Sequence, residues 1–318
     1  LKKLYLIGGG RWARIVLSEL LKLSDENLQV TVVSNKNYLF MKKWISKTFM
    51  DSNVFITKRM PDILPSNSFI YVLNETELRF DTLTKVLKYQ VPILVEKPLG
   101  LNHYEAESVI SLYERSSTPL LSAQVFKFLE SVSALKEILE PSTVHTILMS
   151  WSDSHSEVRF EEIKRYEDLV PPYLDILPHV FSLLEEIIGD FVVGYKSVTF
   201  NEVEKDFSLY LRINSSLDLE IKYSRKASKR ARIFEFFTQS EKITYDFSEI
   251  ETIAKFQEGQ RVFYKEYVKS KSIRLMLTKF LSYSEGGLMD GKFSHRANIC
   301  ALQISHEIQN ALSLDSDC

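Results

Sequence analysis

Two cysteines in 318 residues, Cys300 and Cys318, are too few for a disulfide framework, and such sparse usage fits a cytoplasmic setting. Charge of one sign is missing too. Forty Lys and Arg face 42 Asp and Glu, a formal net charge of −2. Such a balance argues against nucleic acid or an anionic membrane surface as partner. The one basic stretch, YSRKASKRAR at 223–232, lies among strand-like segments and reads as a solvated face. No apolar run approaches the ~20 residues that span a bilayer, and no signal-peptide pattern is present. No metal site is expected. Glycine is scarce, with ten in all, yet three of them are consecutive at 8–10.

What is present is a large apolar fraction, 45%, which over this length supports two packed domains. The first third alternates. Short β-rich runs at 3–7, 30–34, 53–57, 68–73, 92–96 and 119–125 are separated by helical periodicity at 12–22, 76–89 and 103–115, and less clearly at 36–52. Asn102 and Glu105 have capping-box spacing. Near-continuous apolar strands alternating with helices predict a doubly wound parallel sheet of the Rossmann type, covered on both faces. Beyond about residue 126 the pattern changes. Longer alternating runs at 143–151, 193–203, 206–213, 217–224, 231–238 and 241–247 predict an open, mostly antiparallel sheet, with a helix over 173–188. Residues 249–283 show no clear pattern, and 293–313 return to helical spacing, expected to pack back onto the body. The expected division is 1–122, a dinucleotide-binding domain, and 123–318, an α+β domain for substrate and oligomerisation.

Gly8, Gly10 and Ala13 fit G-x-G-x-x-A between a strand and a helix. The first glycine permits the tight turn. The second lets a pyrophosphate approach the backbone, and Ala13 lets the helix lie close to the strand. Arg11 and Trp12 sit inside this loop as further cofactor contacts. An NAD site usually ends its second strand on an acid that accepts from the ribose 2′-OH. Here the segment reads Ser34-Asn35-Lys36-Asn37, and the nearest acids, Asp25 and Glu26, precede the strand. Groups that donate to a 2′-phosphate favour NADP(H), with NAD(H) as the alternative.

Glu96-Lys97-Pro98 ends the fifth strand and Asn74 ends the fourth, at the rim where open α/β sheets bind ligands. Asp175 and His179 are four apart, so a helix puts both on one face. A carboxylate there could orient the imidazole.

Together these residues resemble the glucose–fructose oxidoreductase / inositol dehydrogenase / rhizopine-catabolism (Gfo/Idh/MocA) oxidoreductases. The glycine loop, the Glu-Lys-Pro signature and the Asp-x-x-x-His pair match the family at the positions just named. QVFKF at 124–128 resembles the family's crossing strand between domains, with Lys127 where an arginine is common. The chain also departs from the pattern. Leu177 and Pro178 fill the gap where Gly is frequent, Pro171-Pro172-Tyr173 replaces a glycine-rich run, and Arg79 stands at the position of a family histidine. These changes mark a divergent member with an unusual substrate pocket.

The resemblance implies hydride transfer between a nicotinamide and a hydroxyl or carbonyl carbon of a sugar or sugar-like substrate, free or nucleotide-linked. In that reading His179 is the acid/base, and Lys97 holds the reacting oxygen. Asp175 contacts substrate or orients His179, and Glu96 positions Lys97. Lys127, Tyr173 and Trp151 are candidate substrate contacts, with Asp153 and His155 beside them. The resemblance also implies a homo-oligomer, dimer or tetramer, through the outer face of the second sheet. Two other readings stand beside this one: a non-catalytic nucleotide or sugar sensor of the same fold, and an imine reductase.

Overall fold

Strand and helix alternate through the first 125 residues because apolar runs too short for helices are punctuated by amphipathic segments. In this computed structural model the strands are β1 (Lys2–Ile7), β2 (Leu28–Val33), β3 (Val54–Thr57), β4 (Ser68–Val72), β5 (Ile93–Val95) and β6 (Leu120–Ser122). Between them lie α1 (Arg11–Leu21), α2 (Tyr38–Thr48), α3 (Arg79–Val86) and α4 (His103–Arg115). The structure describes all residues except 24–26, 50–52, 155–157, 160–161, 164–165, 168, 202, 205, 269–270, 284–289 and 317–318. Asp25, Glu26, His155 and Cys318 therefore lie outside the described residues.

The chain separates into two compact units, Leu1–Val125 with Ile273–Ile299, and Phe126–Ser272 with Cys300–Cys318. In the first, all six strands run parallel in the order β3-β2-β1-β4-β5-β6. The chain reverses direction of winding between β1 and β4, which creates a crevice beyond their carboxyl ends. Every residue of β4 and β5 is buried, as strands covered on both faces require. Asn102 caps α4 by accepting from the Glu105 N–H at 3.0 Å, as its spacing predicts. The Glu105 carboxylate reaches back to the Leu101 N–H at 3.3 Å, one residue earlier than an ideal box.

Part of the segment without a clear sequence pattern completes this unit. Helix α7 (Ser272–Leu281) packs Phe280 edge-on against Phe69 at 5.4 Å. Nearby His295 is locked to β6: its Nε2–H donates to the Leu120 carbonyl at 2.9 Å, and its Nδ1 accepts from the Ser122 hydroxyl at 2.6 Å. That pairing fixes the neutral tautomer, and burial lowers the His295 pKa to about 4.

The second unit opens with a correction. Residues 124–128 are not a strand. They enclose a 3-10 turn over Val125–Phe128, which buries Lys127 and Phe128 together, whereas a strand would send them to opposite faces. Helix α5 (Glu130–Ile138) follows, without a counterpart in the sequence reading. Then come β7 (Thr146–Ser154), the short pair β8 (Val158–Arg159) and β9 (Glu162–Ile163), and α6 (Pro172–Ile188). Six further strands complete the unit's large sheet: β10 (Val193–Asn201), β11 (Asp206–Ile213), β12 (Leu217–Ala227), β13 (Ala231–Phe237), β14 (Glu241–Asp246) and β15 (Glu251–Gln257). A last strand, β16 (Gln260–Tyr267), forms its edge, and α8 (Arg296–Ser316) ends the chain. The two segments β15 and β16 again fall where the sequence showed no pattern.

The large sheet runs β10-β11-β12-β7-β13-β14-β15-β16 and is antiparallel except where β7 meets β12 in parallel. The intervening α6, β10 and β11 make that parallel return long enough to close. Alternation along β7 sends Ile147, Met149, Trp151 and Asp153 to one face, the face that α6 covers. Helix α6 starts on Pro172, where a missing N–H costs nothing. It runs through Pro178, which supplies no N–H to the carbonyl four residues earlier. Twelve of its 17 residues are buried, and that packing outweighs the lost bond.

Candidate active site

The glycine loop has the shape its spacing implies. Gly8 sits at φ +138°, and a Cβ there would lie 2.9 Å from the Leu73 carbonyl carbon, so only glycine fits. Gly10 is the N-cap of α1. No side chain caps this helix, and no acid stands in its first turn. A Cβ on Gly10 would meet nothing within 4 Å. The result is a positive helix end facing open space, with amides free of helical partners. A dinucleotide pyrophosphate fits this donor set. Ala13 is buried against the sheet, as close packing of α1 demands.

Beyond β2 the three predicted side chains, Ser34, Asn35 and Lys36, divide. Ser34 is buried under the loop, where a Cβ on Gly9 would come within 2.2 Å of its Oγ, and that Oγ accepts from the Asn37 N–H at 3.3 Å. Asn37 donates to the Gly9 carbonyl at 3.1 Å. Asn35 and Lys36 remain exposed. The Lys36 side chain is 81% accessible and touches Glu75 at 3.4 Å. Ser34 and Asn37 therefore brace the loop, and Asn35 and Lys36 are the groups left facing solvent.

The Glu96-Lys97-Pro98 turn is tied to the glycine loop from below. Trp12, in the first turn of α1, donates its indole N–H to Glu96 Oε1 at 2.6 Å. The Tyr71 hydroxyl donates to the same oxygen. The other carboxylate oxygen accepts from the Lys97 N–H at 3.3 Å. Burial, then the Glu96 charge, push the Tyr71 hydroxyl well above its ordinary pKa, so it stays a donor. The Lys97–Pro98 bond is cis, and Lys97 itself is half-buried. Arg79 is buried and donates to the Pro98 carbonyl and, at 3.0 Å, to the Asn74 carbonyl. Arg79 thus clamps two rim loops together. The Asn74 side chain donates to Thr82 Oγ1 at 2.7 Å and to the Leu78 carbonyl at 3.3 Å.

In the second unit Asp175 and His179 are half-buried on α6 while their neighbours 176–178 are buried. Their surroundings differ. Asp175 helps raise the pKa of the Tyr166 and Tyr223 hydroxyls, after burial and Asp153. His179 lies among rings. Trp151 stacks parallel to it, 4° between planes with centroids 5.7 Å apart, and Phe126 meets it edge-on at 4.8 Å. The other candidate contacts are packed away. Lys127 is 1% exposed, with Glu185 at 2.6 Å, and Tyr173 is buried edge-on to Phe200 and Phe207.

Sequence reasoning missed the charged partner of this cluster. Arg232, from the stretch read as a solvated face, is buried with Asp153 as an ion pair. Arg225 of the same stretch lies over the Tyr166 ring at 4.0 Å and donates to the Tyr223 hydroxyl at 3.1 Å. Strand alternation could have signalled it, since Arg232 shares parity with Phe234 and Phe236, both buried. On the opposite face of the sheet a cavity of about 420 Å³ is floored by Ser150, Ser152, Ser208 and Lys222. Among the described residues no cluster of His, Cys, Asp or Glu is placed to hold a metal, and no helix is long and apolar enough to cross a membrane.

No protein-family model matches this sequence, and no curated protein does. Solved structures do, and their fold agrees with a parallel sheet followed by an open one. A UDP-N-acetylglucosamine 3-dehydrogenase from Acidithiobacillus ferrooxidans aligns over 97% of each chain at TM-score 0.71 and 13% identity. A 3-ketoreductase from Actinomadura kijaniata, solved with NADP and TDP-benzene, aligns over 97% of each chain at TM-score 0.77 and 11% identity. A biliverdin reductase from Synechocystis, solved with biliverdin and NADP+, aligns over 97% of this chain and 98% of that one at TM-score 0.72 and 15% identity. At such identities the likeness shows a shared fold.

Proposed function

We propose that this chain is an NAD(P)-dependent oxidoreductase acting between a hydroxyl and a carbonyl carbon of a sugar or sugar-like substrate. One observation carries the reading: the open helix end at Gly10 and the Lys97 turn are joined through the Trp12–Glu96 hydrogen bond, at the rim of one parallel sheet. Two enzymes of the same fold support it, a UDP-N-acetylglucosamine 3-dehydrogenase and a 3-ketoreductase solved with NADP and TDP-benzene.

The α1 amides and Gly10 would hold the pyrophosphate, with Arg11 and Asn74 at the rim. When bound, the nicotinamide supplies or accepts the hydride. Lys97 stabilises negative charge on the reacting oxygen. His179 is the acid/base, giving a proton in reduction and taking one back in oxidation, work for which an imidazole near neutral pH is suited. Asp175 contacts a substrate hydroxyl. Asn35 and Lys36 favour NADP(H) over NAD(H), and relatives in fold solved with NADP support that preference. Assembly uses the outer face of the large sheet, and the sparse cysteine fits a cytoplasmic protein.

The test is a fluorescence titration with NADPH, followed by absorbance at 340 nm over a panel of free and nucleotide-linked keto-sugars. NADPH binding with turnover of one panel member is the expected result. Binding without turnover of any member would favour a sensor, and no binding would end the reading.

A further inference from the structure

Within the second unit, residues from three neighbouring strands form a row beside His179. Trp151 of β7 stands directly opposite Arg232 of β13 and beside Tyr223 of β12, so all three project to the face that α6 covers. Asp153, two residues along β7, shares that face. The Arg232 guanidinium lies over the Trp151 ring, 4.0 Å from its centroid, and donates to Asp153 and to the Ser152 carbonyl. Asp153 also accepts from the Tyr166 hydroxyl at 3.0 Å. The pair is 2% and 0% exposed.

Burying two charges is a poor way to gain stability, because desolvation offsets most of the attraction, and apolar replacements of similar volume often do as well. What such a pair does supply is direction. A guanidinium held by a carboxylate and a backbone carbonyl has one allowed plane, and the indole beneath it inherits that plane. Trp151 in turn lies within 4° of the His179 ring.

We propose that Arg232 and Asp153 are positioning residues: they fix Trp151 as a flat platform that sets the plane of the His179 imidazole. The inference rests on the proposed acid/base role of His179 for its functional meaning, but its geometric content does not. Phe126 and Phe247 lie edge-on to Trp151 at 5.9 and 6.1 Å, and Phe126 is edge-on to His179 as well. The device selects one ring orientation for proton transfer, where small misalignments are costly.

The experiment is NMR of the His179 Hε1 proton in the full chain, whose upfield ring-current displacement reports stacking on Trp151. Two variants are compared with wild type. Arg232→Lys keeps a cation beside Asp153 and removes the planar face. The double variant Arg232→Met with Asp153→Leu removes the charges and keeps the volume. Both are expected to lose the upfield displacement. Once a substrate is in hand, both should lose about tenfold in turnover with cofactor affinity unchanged. If either variant folds and retains the displacement, the positioning role is overturned. Should the double variant fail to fold, the lysine variant decides alone. Should both fail, Asp153→Asn, which keeps the shape and removes only the charge, decides by the same reading: a retained displacement overturns the role and a lost one supports it. Unchanged turnover in His179→Ala would retire the acid/base reading without touching the geometric result.

Discussion

The two lysine- and histidine-bearing regions are built by different means. Around Lys97 the fixing groups are hydrogen-bonded: Trp12, Tyr71 and the Lys97 amide converge on one carboxylate, and Arg79 clamps the adjacent carbonyls. Around His179 they are stacked rings backed by a buried ion pair. Hydrogen bonds at a strand end fix a turn through its backbone, whereas stacking fixes the plane of a ring. The lysine is held by its main chain, and the histidine is held by its faces.

The largest effects should separate chemistry from binding. Lys97→Ala and His179→Ala are each expected to reduce turnover by about 10²-fold or more, the usual weight of an acid/base or charge-stabilising group. NADPH titration should give near-wild-type affinity in both. Equal turnover in either variant would break the comparison at that region.

The glycine loop offers a sharper contrast over two residues. Gly8→Ala forces a Cβ within 2.9 Å of Leu73 backbone at a positive φ, so it should lower Tm by several degrees. Gly10→Val meets open space at an extended φ of −82°, so Tm should hold. Its NADPH Kd, however, should rise about tenfold or more by crowding the pyrophosphate. A Gly10 variant that binds NADPH normally would mean that the open helix end is not the phosphate site.

Acid stability reports on the first unit. His295 is neutral when folded, with a pKa near 4 against about 6.5 when unfolded. The unfolded chain therefore takes up its proton first. This contribution is complete above pH 6.5, declines as pH falls, and levels off below 4, a loss of about 3 kcal/mol. Urea titrations across that window should show the decline, and His295→Gln should flatten it.

The smallest effect belongs to cofactor choice. Asn35→Asp with Lys36→Glu should shift the NADPH-to-NADH affinity ratio by about tenfold, since a carboxylate repels a 2′-phosphate and accepts from a 2′-OH. Stability should change by less than about 0.5 kcal/mol, as both positions are exposed. An unchanged ratio would remove the β2 end from the recognition of the adenosine ribose.

Much of this was readable beforehand, and the reason is locality. The turn at Gly8, the helix opening at Gly10 and the capping of α4 by Asn102 depend on residues within four positions of one another, where periodicity and glycine usage carry the signal. The six parallel strands follow from apolar runs bounded by turns. By contrast, residues 249–283 showed no pattern, because β16 is an edge strand whose exposed residues break the alternation on which strand reading depends. The expected crossing strand at 124–128 failed because tertiary burial of both Lys127 and Phe128 favoured a tight turn.

By itself, then, the order of residues determined the glycine cradle, the strand–helix alternation, and the placing of Lys97 at a strand end and of Asp175 and His179 one helical turn apart. Only the folded sheet decided that a basic stretch would bury Arg232 against Asp153 and Trp151, that Ser34 would brace a loop, and that Lys127 would pair with Glu185. Those outcomes depend on partners 25 to 81 residues away along the chain, whose register is set by strand pairing and by which face a helix covers. No local pattern encodes that.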